Sequence, residues 1–277
     1  TTPTVRELIE QVADNELAPG PVTALAVRPD PIPVSFAQQR MWFINRFDPD
    51  APTYNIPVVL KITGALDVPA VRAAMIDVID RHEVLRTTFP AIDGVPCQRI
   101  GSAAEFDARG VWQVVDSRQA VLDAVSTGFD VAQQWPIRVC VWRKSGDVHV
   151  LAVIIHHIAG DGESLHPLLR DFVAAYTARA QGHVPEFTPL AVQFADFAVW
   201  QHDVLGPASD EHSVIGRQLE YWRGQLAGLP DVLELPTTRP RPSVASMAGG
   251  RVEFAIPADV GDRINTVARD LGATPFM

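Results

Sequence analysis

Cysteine is scarce: Cys97 and Cys140 are the only two in 277 residues. Both lie in apolar, strand-like stretches, so free buried thiols are expected and no disulfide framework is needed. Long apolar runs are missing too. None reaches the roughly 18 residues that would cross a bilayer as a helix, and the N-terminus lacks a targeting pattern. The chain therefore reads as soluble and cytoplasmic. Positive charge is short: 23 Lys and Arg against 33 Asp and Glu leave a net charge of −10. No basic cluster or stripe is visible, which argues against a nucleic-acid or anionic-membrane partner.

What is present suits a globular chain, with 47% hydrophobic and 20% charged residues and enough length for one large domain or two small ones. The stretch Val148 to Ile155, apolar and β-branched apart from His149, has the pattern of a strand buried on both faces. It ends in His156-His157-Ile158-Ala159-Gly160-Asp161-Gly162-Glu163-Ser164. If the strand persists through the histidines, Ile155 and His157 share one face while Ile154 and His156 share the other. One histidine then faces a cavity and the other is packed inside. Gly160 and Gly162 permit a tight loop, positive φ and close backbone approach to a ligand. Asp161, read as buried, calls for a cationic partner and a structural role rather than that of a base. Ser164 is placed to cap a following helix with Leu165, Leu168, Leu169, Phe172 and Tyr176 on its apolar side and Gly182 past its end.

Punctuation divides the rest. Val5, Leu8, Ile9 and Val12 predict a helix over 3–14, followed by a proline-rich linker. Ser35 with Gln38 forms a capping box for a helix carrying Phe36, Arg40, Phe43 and Phe47, with Trp42 and Phe43 assigned to the core. Tyr54 to Thr63 reads as a strand. Asp67 and Pro69 open a helix whose buried stripe is Val71, Met75, Val78, Ile79 and His82. Asp93-Gly94 and Ser145-Gly146 mark two hairpin turns. Gly250 to Ile256 predicts a strand. A helix is expected over Pro257 to Leu271 with Val260, Ile264, Val267 and Leu271 inward, and Thr274-Pro275 opens another.

Four stretches share one resemblance. His156-His157-Ile158-Ala159-Gly160-Asp161-Gly162 resembles the HHxxxDG motif of the condensation domains of nonribosomal peptide synthetases, members of the chloramphenicol-acetyltransferase-like superfamily. Ser35 to Trp42 is similar to SxAQxRMW, and Arg81 to Phe89 matches RHExLRTxF at every specified position. Phe194 to Gln201 resembles YxDFAVWQ, with Phe194 in place of tyrosine, and Glu163 stands where the third motif commonly has tryptophan.

The resemblance implies an α/β, chloramphenicol-acetyltransferase-like two-layer sandwich, with the N-terminal lobe and the beginning of a second. On that basis 1–32 is the end of a preceding carrier domain and a linker, 33–205 the N-terminal lobe, and 206–277 the lobe connection and a truncated start of the C-terminal lobe. A plain N-terminal overhang fits 1–32 equally well. The implied partners are upstream and downstream peptidyl carrier domains and the remaining C-terminal lobe, without which the chain alone is expected to be inactive. The family joins two thioesters on phosphopantetheine arms into an amide, and the domain itself binds no cofactor and no metal. His157 would position or deprotonate the attacking amine, and backbone around Gly162 would assist the developing oxyanion. His156, Asp161 and Arg86 would support the site, Arg86 by pairing with Asp161. Arg40, Ser164 and Trp200 would lie along the substrate channel. Rival readings are zinc on His156, His157, Asp161 and His166, a Ser164 nucleophile with His157 as base, a coenzyme A-dependent acyltransferase, and a non-catalytic recruitment domain.

Overall fold

The computed structural model describes residues 20–233, 235–237, 239–240, 242–243, 250 and 252–277. The helix expected over 3–14 lies outside them. The strands are β1 (Ile32–Pro33), β2 (Asn55–Thr63), β3 (Thr87–Thr88), β4 (Ala91–Ile92), β5 (Val95–Ile100), β6 (Trp112–Val115), β7 (Ile137–Ser145) and β8 (Val148–His156). The helices are α1 (Phe36–Phe47), α2 (Val68–Arg81), α3 (Arg118–Ser126), α4 (Leu165–Ala180), α5 (Phe194–Leu205), α6 (Val214–Gln225) and α7 (Ala258–Asp270). Two compact units are formed, one up to Pro230 and one from Asp231. No described helix is long and apolar enough to cross a membrane.

The apolar run does form the central strand. The larger sheet has the order β2-β8-β7-β6, with β8 antiparallel to both neighbours. Leu151, Val153 and Ile155 point to one face, where Val71, Met75, Val78 and Ile79 of α2 and Leu168 and Phe172 of α4 cover them. Ala152 and Ile154 point to the other, against Met41 of α1, Val121 of α3, Phe89 and Phe129. Burial on both faces is why β8 carries the unbroken apolar run Val150 to Ile155 instead of alternating. Each large side chain so buried stabilises the fold by about 1.5–3 kcal/mol. The smaller sheet is built around β5, flanked by β1, β3 and β4. Its two-residue turn, Asp93 at φ 51° and Gly94 at φ 82°, is the one the dipeptide predicts. Cys97 and Cys140 are free and buried, as expected.

Helix starts follow their capping residues. Ser35 Oγ accepts from the Gln38 N–H at 3.2 Å and Gln38 Oε1 accepts from the Ser35 N–H at 3.0 Å, while Asp67 accepts from the Ala70 N–H at 2.9 Å. The inner face of α1 differs from expectation. Phe43 and Phe47 are exposed, and Asn45 is buried in their stead, donating to Phe129 O at 2.8 Å and accepting from the Val131 N–H. The hydrogen-bonding demand of the loop at 129–131 sets the rotation of the helix. Trp42 is half-buried, as the core assignment requires, with its indole N–H donating to Phe89 O at 2.8 Å. Leu169 is another correction: it faces solvent on α4.

From Gly20 onward the proline-rich stretch is tied to the body. Arg28 donates to Asp196 at 2.8 Å and to Glu83 at 2.6 Å, and the Trp200 indole donates to Gly20 O at 2.8 Å. Asp196 is 1% exposed, so its charge depends on Arg28.

In the unit from Asp231, α7 buries Ala268, whereas Ile264, Val267 and Leu271, expected inward, are exposed. The described residues 252–256 form no strand. An apolar pattern needs a partner strand before it becomes a ladder, and no described segment supplies one.

Candidate active site

β8 ends at His156, and His157 opens the turn that follows, closed by the Ala159 N–H donating to His156 O at 2.9 Å. His156 N–H donates to Pro136 O at 2.9 Å and His157 N–H to Tyr54 O at 2.8 Å; of the two side chains the first is buried and the second exposed. His156 is 1% exposed, set near Tyr54 and Phe129, and its Nδ1 accepts from the Ile158 N–H at 3.1 Å. That bond places the ring proton on Nε2. Burial, reinforced by the neighbouring His157, lowers its pKa to about 4, so it is neutral at neutral pH and structural. His157 is exposed, beside the Tyr54 ring at 6.4 Å.

His156 links stability to acid. Its pKa falls from an ordinary 6.5 to about 4 on folding, so between those values the unfolded chain binds more protons. Stability is therefore full above the upper value and declines as pH is lowered toward the lower one. The loss is roughly 3 kcal/mol. Urea denaturation at steps from pH 7 to pH 4 is expected to show this slope in the wild type and a shallower one in His156→Gln. Equal slopes would remove His156 as its source.

The loop after the histidines closes on itself. Asp161 Oδ1 accepts from the Ser164 N–H at 3.0 Å and from the Ser164 hydroxyl at 2.7 Å, while Ser164 Oγ accepts from the Asp161 N–H at 3.0 Å. This is a capping box in which Asp161 is the cap. Two expectations are corrected by it. Ser164 precedes α4 with helical backbone, φ −65° and ψ −23°, and makes no side-chain cap to it, because its hydroxyl is committed to Asp161. Asp161 is exposed and pairs with Ser164, whose hydrogen bonds hold its carboxyl below the usual range; it does not meet Arg86. Arg86 instead donates to Ile79 O, Asp80 O and Gly101 O at 3.2, 3.1 and 2.5 Å. The last turn of α2 presents carbonyls without helical partners, and a guanidinium with five donors satisfies them.

Neither loop glycine has positive φ, which corrects a further expectation. A Cβ on Gly160 would stand 3.3 Å from Ser164 Cβ, whereas one on Gly162 would meet nothing within 4 Å. Gly162→Ala is expected to raise stability by about 0.4–1 kcal/mol through the unfolded chain. Gly160→Ala is expected to lower it by crowding the Asp161–Ser164 closure. Thermal melts of the two variants check the opposite signs.

Beside this loop lies a cavity of about 230 Å³. Its walls include Ile155 of β8, Leu165 and Leu168 of α4, Leu85, Phe194 of α5 and the stretch from Ala159 to Asp161. His157 itself does not line the cavity; it lies two residues after Ile155, in the turn that follows the strand.

Under one end of the cavity, Asp171 is buried and accepts from Arg81 Nε at 2.8 Å, His82 Nε2 at 2.9 Å and Arg170 at 3.1 Å. Burial pushes its carboxyl up, but these three donors together hold it below the ordinary value. Burial lowers the His82 pKa against the pull of Asp171, so at neutral pH the contact is a neutral N–H donating to a carboxylate. Sequence reasoning missed Asp171, although an acid one turn from Leu168 on an apolar helix face signals a buried partner. It also missed the loop residues Leu190 and Val192, which line the cavity and carry no pattern of their own.

The structure thus brings together His157, Asp161, Gly162 and Ser164 at the strand end, with His156 beneath. Arg40 is exposed on α1, and the Trp200 indole is used by Gly20; neither lines the cavity. Among the described residues no three His, Cys, Asp or Glu side chains converge as metal ligands, and the divergence of His156 from His157 is the reason here.

Comparison with known proteins agrees with this geometry. Residues 29–277 match the family described as the condensation domain. The isonitrile lipopeptide synthase of Mycobacterium tuberculosis is 43% identical over 91% of this chain and 10% of its own length. The dimodular nonribosomal peptide synthase of Bacillus subtilis is 40% identical over 93% of this chain and 11% of its own. Among solved structures, the X-domain from teicoplanin biosynthesis, seen in its complex with OxyB, superposes with a TM-score of 0.80 at 34% identity, over 92% of this chain and 56% of that one. The chain therefore spans about a tenth of the two synthetases. From the four motifs, the central β8 and the histidine pair at its end, together with this match, the chain belongs to the condensation-domain family, with its chloramphenicol-acetyltransferase-like α/β fold.

Proposed function

We propose that this chain forms part of a domain that makes an amide bond between two carrier-bound thioesters in nonribosomal peptide synthesis. The observation that carries the reading is the exposed imidazole of His157, held at the end of a buried strand by its own backbone bond to Tyr54 and set beside a self-closed loop. In the reaction the acceptor amine attacks the donor carbonyl carbon. A C–N bond forms, the C–S bond breaks, and the sulfur leaves as a thiolate that takes up a proton. His157 either receives the amine's proton or orients the amine by accepting its hydrogen bond. The open space over Gly162 lets the reacting carbonyl approach the backbone there. Asp161 and Ser164 keep that loop in shape, and His156 fixes the strand end as a neutral, buried support.

The partners are an upstream and a downstream carrier domain, each presenting a phosphopantetheine arm as substrate. The domain supplies binding, orientation and proton handling, and works in the cytoplasm with its synthetase. The test is mass-spectrometric detection of the amide after loading donor and acceptor carriers, with the chain in its full-length protein. Product supports the reading. Carrier binding without product would replace it with a recruitment domain that performs no chemistry.

A further inference from the structure

We infer that Asn55 is a positioning residue for His157: its carboxamide ties the start of β2 to the C-terminal end of α3 and so fixes the carbonyl that holds the His157 backbone. This rests on the amide-forming reading for the use made of His157, while the anchor stands on the geometry alone. His157 lies past the last residue of β8, in a turn. Its N–H donates to Tyr54 O at 2.8 Å, one residue before β2 begins. The imidazole is therefore placed as firmly as the Tyr54–Asn55 peptide group.

Three contacts set that peptide. Its N–H, which belongs to Asn55, donates to Pro52 O and closes the short turn Pro52–Tyr54; because a peptide group is planar, the Tyr54 carbonyl is aimed along with it. The Asn55 side chain donates from Nδ2 to Val125 O and to Thr127 O, each at 2.8 Å. These carbonyls sit at the C-terminal end of α3, where helical partners run out. From the opposite side, the Gly128 N–H donates to Asp50 O at 3.2 Å. A Cβ on Gly128 would stand 2.3 Å from Pro49 O, so the loop after α3 lies directly against the chain that enters β2. Arg138 of β7 donates to Ala124 O, Thr127 O and Gly128 O at 2.9, 3.0 and 3.0 Å, which makes the helix end a fixed post. Asn55 Oδ1 is buried without a partner. An orphaned oxygen costs stability, so the two donations are what this side chain contributes.

The test replaces Asn55 by aspartate in the full-length protein, which keeps the shape and turns both donors into oxygens facing carbonyl oxygens. Hydrogen exchange at the His157 amide, localised by fragmentation mass spectrometry, is expected to speed up roughly five- to tenfold. The Val139 amide, bonded to Val111 O inside the sheet, should keep its rate, whereas a general loss of stability would speed both. Turnover of carrier-bound thioesters is expected to fall roughly 10- to 100-fold in kcat with KM unchanged, and Asn55→Asp should cause no further fall in a His157→Ala background. Gly128→Ala, which pushes the same two segments apart, should speed His157 exchange likewise, and decides the matter if Asn55→Asp does not fold. Exchange at His157 that is unchanged, or that rises only in step with Val139, would overturn the proposal; so would an undiminished loss of turnover in the His157→Ala background. Faster exchange at His157 with turnover intact would leave the anchor standing and fault the chemical role given to His157.

Discussion

In the His157→Ala variant, amide formation between carrier-bound thioesters is expected to fall by roughly 10²–10⁴-fold, the usual contribution of one positioned acid–base group. Stability should change by no more than about 0.5 kcal/mol, because the ring is exposed and its backbone anchor survives the substitution. Loss of product in a folded variant therefore reports chemistry and not packing. A second comparison separates the two roles left open for the ring. If His157 receives the amine's proton, the deficit should shrink with a weakly basic amine that is already unprotonated. If it only orients the amine, the deficit should stay the same. Equal product from variant and wild type would remove His157 from the reaction.

The largest effect on stability is expected at Asp171, whose replacement by alanine should cost about 3–5 kcal/mol, as for other buried pairs broken on one side. Its carboxylate is the shared acceptor for Arg81, His82 and Arg170, and the Arg81 and Asp171 side chains are 11% and 6% exposed. Arg170 is largely solvated and contributes little. Without Asp171, the Arg81 guanidinium keeps its bond to Thr188 O but loses its counter-charge. The effect should depend on pH with a definite sign. The folded-state carboxyl lies below its ordinary 3.8, so the stabilisation is present above that value and is lost as pH falls through the folded pKa. The gap between wild type and variant in urea denaturation should thus be wide at pH 7 and narrow in strong acid. A gap under about 1 kcal/mol at pH 7 would mean the network is not what joins α2 to α4.

Much of this molecule was legible before any coordinates. Val150 to Ile155 read as a strand buried on both faces, because an unbroken apolar run leaves neither side for water. Period two then separated His156 from His157, and the structure keeps them apart. The Ser35 and Asp67 caps and the Asp93-Gly94 turn are local chemistry, decided within four residues, and each formed as read. The family resemblance rested on the same short stretches.

Readings that needed a partner distant in sequence fared differently. Asp161 looked like a buried acid in search of an arginine, yet the acceptor-rich end of α2 captured Arg86 and a serine three residues away satisfied Asp161. Phe43 had the right spacing for the core, but the unpaired backbone at 129–131 drew Asn45 inward and rotated the helix. Asp171, shared by two arginines and a neutral histidine, had no motif to announce it. The cavity was invisible for a similar reason: its walls come from a strand, two helices and a loop far apart along the chain, and no spacing rule joins them. Sequence alone determined the central strand, the capped helix starts and the Asp93-Gly94 turn, since backbone propensity and capping act over a few residues, whereas the strand expected over Gly250 to Ile256 lacked a partner. Tertiary structure decided which charges meet and where empty space remains, because burial and pairing are settled among surfaces that only the fold brings together.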